Sequence, residues 1–220
     1  MIQQNLNSIK GQLPSGVKLV AVSKFHPLEA VLEAYQAGQR VFGENRPQEL
    51  AAKAVQLPQD IEWHFIGHLQ TNKLKLVLPY VSMVQSVDSL HLLQEIDDWG
   101  KKNGKVIPVL LELHIGAEDT KQGFVEEEIL DILFNAEKYK SVRFCGLMGM
   151  ASHTEDEETI RADFGRISDY MGYLQDLFPE YDEFKELSIG MSDDWHIAVE
   201  YGATMVRIGT FIFGERQKAL

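Results

Sequence analysis

Eight apolar runs rich in β-branched residues recur along the chain at fairly even intervals: 19–24, 40–45, 62–67, 83–89, 106–115, 144–150, 187–192 and 205–214. Runs of this length, bounded by turn signals, predict strands that are buried on both faces. Most intervals between them carry a helical period. In "PLEAVLEAYQAG", Pro27 suits the first turn and Gly38 a C-terminal cap, while 157–178 is a long amphipathic helix and 194–202 a short one. Continuous apolar strands alternating with helices imply a parallel sheet covered on its faces. Eight such units point to a (β/α)8 barrel, although that fold typically takes about 250 residues and this chain has 220. An open doubly wound sheet is the alternative. The barrel is preferred because neither G-x-G-x-x-G nor G-x-x-x-x-G-K-[ST] occurs, so nothing marks a nucleotide crevice. With no low-complexity linker or composition break, residues 1–220 read as one domain.

A formal net charge of −12 opposes nucleic acid and anionic lipid as partners, so an anionic ligand must be small and locally bound. No segment reaches the roughly 20 apolar residues of a membrane span, and "MIQQNLNSIKGQLP" lacks the pattern of a signal peptide. A cytoplasmic location is expected. Cys145 is the single cysteine, which excludes an internal disulfide, and its "RFCGLMGM" setting predicts an inert core thiol. The acidic runs "VEEEI" and "TEDEET" fall at predicted helix starts, where they complement the helix dipole.

Barrel enzymes and binding proteins build their sites at the carboxyl ends of strands. In "LVAVSKFHP" that rule makes Lys24, placed last in strand one, a candidate instead of a boundary residue. Glu44 and Asn45 end strand two, His68 follows strand three, Asp88 lies near the end of strand four and Ser192 ends strand seven. His64 and His68 invite a metal reading, but along a strand they stand about 13 Å apart and cannot share an ion. One or both are expected to be packed or hydrogen-bonded barrel residues, and His153 and His196 to lie at the surface.

The final stretch, "IGMSDDWHIAVEYGATMVRIGTFIFGE", sets Ser192 after strand seven and Arg207, Gly209 and Thr210 within strand eight. Loops after strands seven and eight are the common phosphate position in barrels. Gly209 permits close approach of a backbone N–H, and two hydroxyls are at hand in Ser192 and Thr210. Ser192 simply capping the short helix is the competing reading. Asp193 and Asp194 are compatible with an anion only if they turn outward. Arg207, set in an apolar run, should be buried and in need of hydrogen-bonding partners or a ligand. Lys24, placed across the barrel, is a cation of the same kind. A lysine desolvated beside another cation has a lowered pKa and becomes a nucleophile that forms Schiff bases. An amine, a buried arginine and a phosphate cradle together match an aldehyde phosphate such as pyridoxal 5'-phosphate.

Taken together, "AVSKFHP", "FGENRPQEL", "WHFIGHLQTNK", "VQSVDS", "GLMGMASHTED" and "LSIGMSDDWHIAVEYGATMVRIGTFIFGER" make the chain resemble the pyridoxal phosphate homeostasis proteins over essentially its whole length. The resemblance implies a barrel similar to the N-terminal domain of alanine racemases, with pyridoxal 5'-phosphate joined to Lys24. It implies phosphate contacts from Ser192, Gly209 and Thr210, and Arg207 facing the pyridine nitrogen. Asn45 is added as a cofactor-binding candidate from its strand-end position, and His68 is weighed on the same ground. Departures from the racemase pattern are Leu28 in place of a tyrosine, Met150 in place of a histidine and Met191 in place of an asparagine. Racemases also append a β-rich second domain, for which this sequence shows no counterpart after strand eight.

The reading is a monomeric cofactor-binding protein, without a catalytic role, in homeostasis of the cofactor and of amino acids. Apo-enzymes are candidate recipients. A small pyridoxal-phosphate-dependent racemase or lyase is the alternative, and a phosphosugar-binding barrel the third reading. Lys73 and Lys75 compete with Lys24 for the aldehyde.

Overall fold

The computed structural model describes residues 1–116 and 122–214; the Glu215–Arg216 end of the last motif lies outside the described residues. Among the described residues, eight parallel strands close into a barrel: β1 Lys18–Val22, β2 Val41–Glu44, β3 Glu62–Phe65, β4 Val81–Val87, β5 Ile107–Glu112, β6 Val142–Met148, β7 Glu186–Ser188 and β8 Met205–Ile208. Neighbours pair in sequence order, and β1 pairs with β8 through Lys18–Met205, Leu19–Val206, Val20–Arg207 and Ala21–Ile208. The (β/α)8 expectation holds.

Helices between the strands cover the outside: α2 Leu28–Gln36, α3 Pro47–Ala54, α4 Leu74–Val77, α5 Leu90–Asn103, α6 Glu126–Phe134, α7 Glu157–Leu177, α8 Trp195–Glu200 and α9 Thr210–Phe213, with α1 Ile2–Gln12 ahead of β1. Their ends follow local chemistry. Pro27 supplies the extended residue before α2, and Gly38 ends that segment at φ 86°, a conformation costly for any residue with a Cβ. Both acidic runs open helices as expected, Glu126–Glu128 in α6 and Glu157–Glu158 in α7. Helix α1 was not anticipated from the sequence. Its signal is the spacing of Ile2, Leu6 and Ile9, all buried, and it packs against α2 and α9, where Asn5 Nδ2 donates to Ile212 O at 3.1 Å.

Side chains alternate across each strand, so one set fills the space between barrel and helices and the other fills the barrel. The inner set holds an apolar cluster of Val20, Val41, Met83, Leu110, Cys145, Met148 and Met205. Burial raises the pKa of the Cys145 thiol, in keeping with an inert core residue.

Every strand ends earlier than the sequence expectation, and three of these differences bear on the site. β1 stops at Val22, which leaves Lys24 in the turn beyond it. β7 stops at Ser188, which leaves Ser192 in the loop before α8. β8 stops at Ile208, so Gly209 and Thr210 open α9 instead of continuing the strand. The apolar runs persist past the last ladder bond because the βα turns are themselves packed, and hydrophobicity does not register where pairing stops. Lys24 and Arg207 also do not face each other across the barrel, since closure makes β1 and β8 neighbours.

Helix α1 should contribute to the fold and not merely decorate it. Leu6→Ala, at a fully buried site, is expected to lower unfolding free energy by about 2–5 kcal/mol in urea titration.

Candidate functional site

Four turns assemble the mouth of the barrel beside the β1–β8 seam. The turn after β1 carries Lys24, half-buried, followed by Phe25 at φ 66°. A positive φ is unfavourable for an aromatic residue, so tertiary contacts hold it there. His26 stacks on Phe213 of α9 with centroids 4.9 Å apart, which ties this turn to the one after β8. There, the Gly209 N–H donates to Ser192 Oγ at 3.4 Å, so the two residues named for phosphate do meet. Glycine at 209 is a matter of space: a Cβ would stand 3.0 Å from Val22 O. Thr210 is exposed beside them. Asp193 is exposed, but Asp194 is half-buried and its Oδ1 accepts from the Met191 N–H at 2.5 Å, so only Asp193 turns to solvent as the sequence demanded.

Arg207 is buried, as its sequence context implied, and its partners are protein groups. Nη1 donates to Ser188 O at 2.8 Å and to Ser188 Oγ at 2.7 Å, and Nη2 donates to Gly149 O at 3.0 Å. Burial pulls its pKa down to about 10, against the opposing charges of Glu112 and Asp194. The bonds continue inward. Ser188 Oγ donates to Gln85 Oε1 at 2.7 Å, and Gln85 Nε2 donates to His64 Nδ1 at 2.7 Å. Burial drives His64 down to about 3, so the ring is neutral and Nδ1 is free to accept. These linked bonds fix the guanidinium from behind. The sequence reading flagged His64 as a hydrogen-bonded barrel residue, and it missed Gln85 and Ser188, whose only signal is a polar residue on an inward strand position.

His68 lies beyond β3, exposed, with Nδ1 2.7 Å from Asp88 Oδ2. Asn45 is half-buried just past β2, and its Oδ1 is buried without a partner among the described residues. His153 and His196 are exposed and line a cleft of about 600 Å³ with Met191 and Asp194. Met150 and Met191 line a smaller cleft of about 250 Å³ together with Glu112.

Glu112, at the end of β5, escaped the sequence reading because "LLELHIG" looks like an ordinary strand with one polar residue. It is 2% exposed, and its Oε2 has no partner among the described residues. Burial, with the neighbouring Asp88 charge, raises its pKa to about 7, against the pull of Arg207 and His68.

Proteins of known kind resemble this chain over nearly its whole length. The alanine racemase N-terminal domain family matches residues 1–217. The "Pyridoxal phosphate homeostasis protein" of Vibrio alginolyticus is 38% identical, with 98% of this chain and 97% of that protein covered. The chain belongs to the pyridoxal phosphate homeostasis protein family. Another family member, from Aquifex aeolicus, is 40% identical over 91% of this chain and 87% of its own length. PipY of Synechococcus elongatus, solved without pyridoxal phosphate, superposes with a TM-score of 0.92 at 36% identity, covering 97% of this chain and 100% of PipY. The same protein has been solved with pyridoxal phosphate bound.

Glu112 gives a pH test of the ligand-free site. A carboxyl whose folded pKa is raised favours the fold below the ordinary carboxylate range, and that contribution is lost as pH rises through about 7. Glu112→Gln should therefore gain about 1–3 kcal/mol over the parent at pH 8, shrinking toward nothing near pH 4, in denaturant titrations.

Proposed function

We propose that this barrel, acting as one monomeric domain over residues 1–220, holds pyridoxal 5'-phosphate as a Schiff base on Lys24. Its role is homeostasis of that cofactor, and through it of amino acids, by exchange with apo-enzymes and without turnover of its own. The observation that carries the reading is the β1–β8 seam: Val20 pairs with Arg207, and the turns after those two strands bear Lys24, Gly209 and Thr210. Relatives named for this homeostasis, and a family member solved with the compound, support it.

The residues fit the group. Gly209 and Ser192 already stand within reach of each other, Thr210 offers an exposed hydroxyl, and the buried Asn45 Oδ1, without a partner among the described residues, is an acceptor at the same end of the barrel. Bound pyridoxal phosphate would supply an aldehyde that condenses with a primary amine. Ser192, Gly209 and Thr210 would hold the phosphate. Arg207, held by its bonds to Ser188 and Gly149, has a fixed place at this seam and would face the ring nitrogen of a bound cofactor. A cation there would disfavour a proton on that nitrogen and make the bound ring a poor sink for electrons.

One observation favours the alternative, a small amino acid racemase or lyase. Glu112 ionises near neutrality and lines the cleft beside Met150 and Met191, where a second acid–base group would be wanted.

Borohydride reduction followed by peptide mapping tests the first reading. Reduction should add a pyridoxyl phosphate mass to the Lys24 peptide, and Lys24→Ala should abolish the imine absorption. An adduct on Lys73 or Lys75 would overturn the assignment.

Incubation with L-alanine and L-serine separates the two readings. No D-enantiomer or keto acid should accumulate beyond one equivalent of protein. Sustained turnover that disappears in both Lys24→Ala and Glu112→Gln would establish the enzyme.

A further inference from the structure

Under the Ser23–Phe25 turn lies a buried ion-pair cluster. Lys53 of α3, 5% exposed at its side chain, directs its ammonium to Glu44 Oε1 at 2.6 Å, Glu49 Oε1 at 2.7 Å and Ser23 O at 2.7 Å. Three donors thus meet three acceptors. Glu44, fully buried at the end of β2, also accepts from Ser23 Oγ at 2.6 Å. Glu49 Oε1 also accepts from the Phe25 N–H at 2.7 Å. The bonds therefore seize Ser23 and Phe25, the residues on either side of Lys24, and two of them go to main-chain atoms.

Stability does not explain such a cluster. A buried ion pair costs much of its attraction in lost hydration, and apolar residues of similar volume often serve as well. Burial raises the Glu44 pKa even with Lys53 beside it, and Glu44 Oε2 is left without a partner among the described residues. What the cluster does supply is geometry. Phe25 is kept at φ 66° by the Glu49 bond on one side, with the Arg46 guanidinium 4.2 Å from its ring on the other. That conformation sets the direction in which the chain leaves Lys24.

We propose that Glu49 and Lys53 are positioning residues for Lys24: by clamping the Ser23–Phe25 turn onto β2 and α3 they hold the lysine amine in line for condensation with an aldehyde. The proposal rests on Lys24 being the imine lysine. Condensation forms one C=N bond and releases one water, the carbonyl oxygen leaving with two protons from the amine. Glu49 and Lys53 gain and lose no atom in it.

The test compares the rate of imine formation, followed by absorbance on mixing ligand-free protein with pyridoxal 5'-phosphate, against affinity for pyridoxine 5'-phosphate, an alcohol that cannot condense. Glu49→Ala removes the acceptor for Phe25 N–H and leaves Lys53 its bonds to Glu44 and Ser23, so the fold should persist, as a thermal melt will show. It should slow condensation about tenfold or more while analogue affinity stays at the parental value. Glu49→Gln, which keeps an oxygen acceptor, should recover most of the rate. Condensation at the parental rate in Glu49→Ala, or loss of analogue affinity in the same proportion, overturns the positioning role. Lys24→Ala is run in parallel. Persistence of the imine band in that variant defeats the Lys24 reading and the positioning role with it, whereas loss of the band there with an unchanged rate in Glu49→Ala defeats the positioning role only.

Discussion

The ladder between β1 and β8 is the contact on which the site depends. A parallel sheet of eight strands has two open edges until its first and last strands pair, and closure here comes through four residue pairs. Because β1 and β8 run in the same direction, their carboxyl ends emerge side by side. The turn bearing Lys24 and the turn bearing Gly209 and Thr210 thereby become neighbours, although 185 residues separate Lys24 from Gly209. His26 stacking on Phe213 closes the same seam a second time, outside the ladder.

Two polar systems then fix what the seam has brought together. The row from Arg207 through Ser188 and Gln85 to His64 anchors the guanidinium inside the barrel, and each member constrains the next. The Lys53–Glu44–Glu49 cluster lies on the other flank, under β2 and α3, and grips the backbone around Lys24. Neither system gains much by burial, since desolvation offsets most of what hydrogen bonds and ion pairs return. Their effect is on order: several bonds at once constrain the arginine and the backbone of the lysine turn. Between them the mouth is less tightly bonded: Asn45 Oδ1 and Glu112 Oε2 have no partner among the described residues, and Met150 and Met191 face solvent.

Much of this was legible in the sequence. The eight strands and their alternation with helices follow from hydrophobic period, which reports burial directly, and the caps at Gly38 and the acidic starts of α6 and α7 follow from backbone and dipole chemistry. Lys24, Ser192, Arg207 and Gly209 stood out because a polar or small residue in an apolar run demands a reason. Glu112 and Gln85 have the same property and were passed over, since each looks like a single outward-facing residue until the strand's inward face is known. Strand ends were placed too late, by four residues in β7 and six in β8, because packed turns are as apolar as the strands they follow.

The sequence by itself determined the barrel, through the period of its apolar runs, and the presence of a lysine and an arginine that could not both be idle. Only the tertiary structure decided that Lys24 follows a strand paired with the one bearing Arg207, that Arg207 is held by Ser188 and Gly149, and that Glu112 is buried beside Asp88 and Arg207. Composition and period are properties of segments, and they say which face of a strand is buried. Which side chains meet inside a closed barrel depends on strand register and closure, and those are set by all eight strands together.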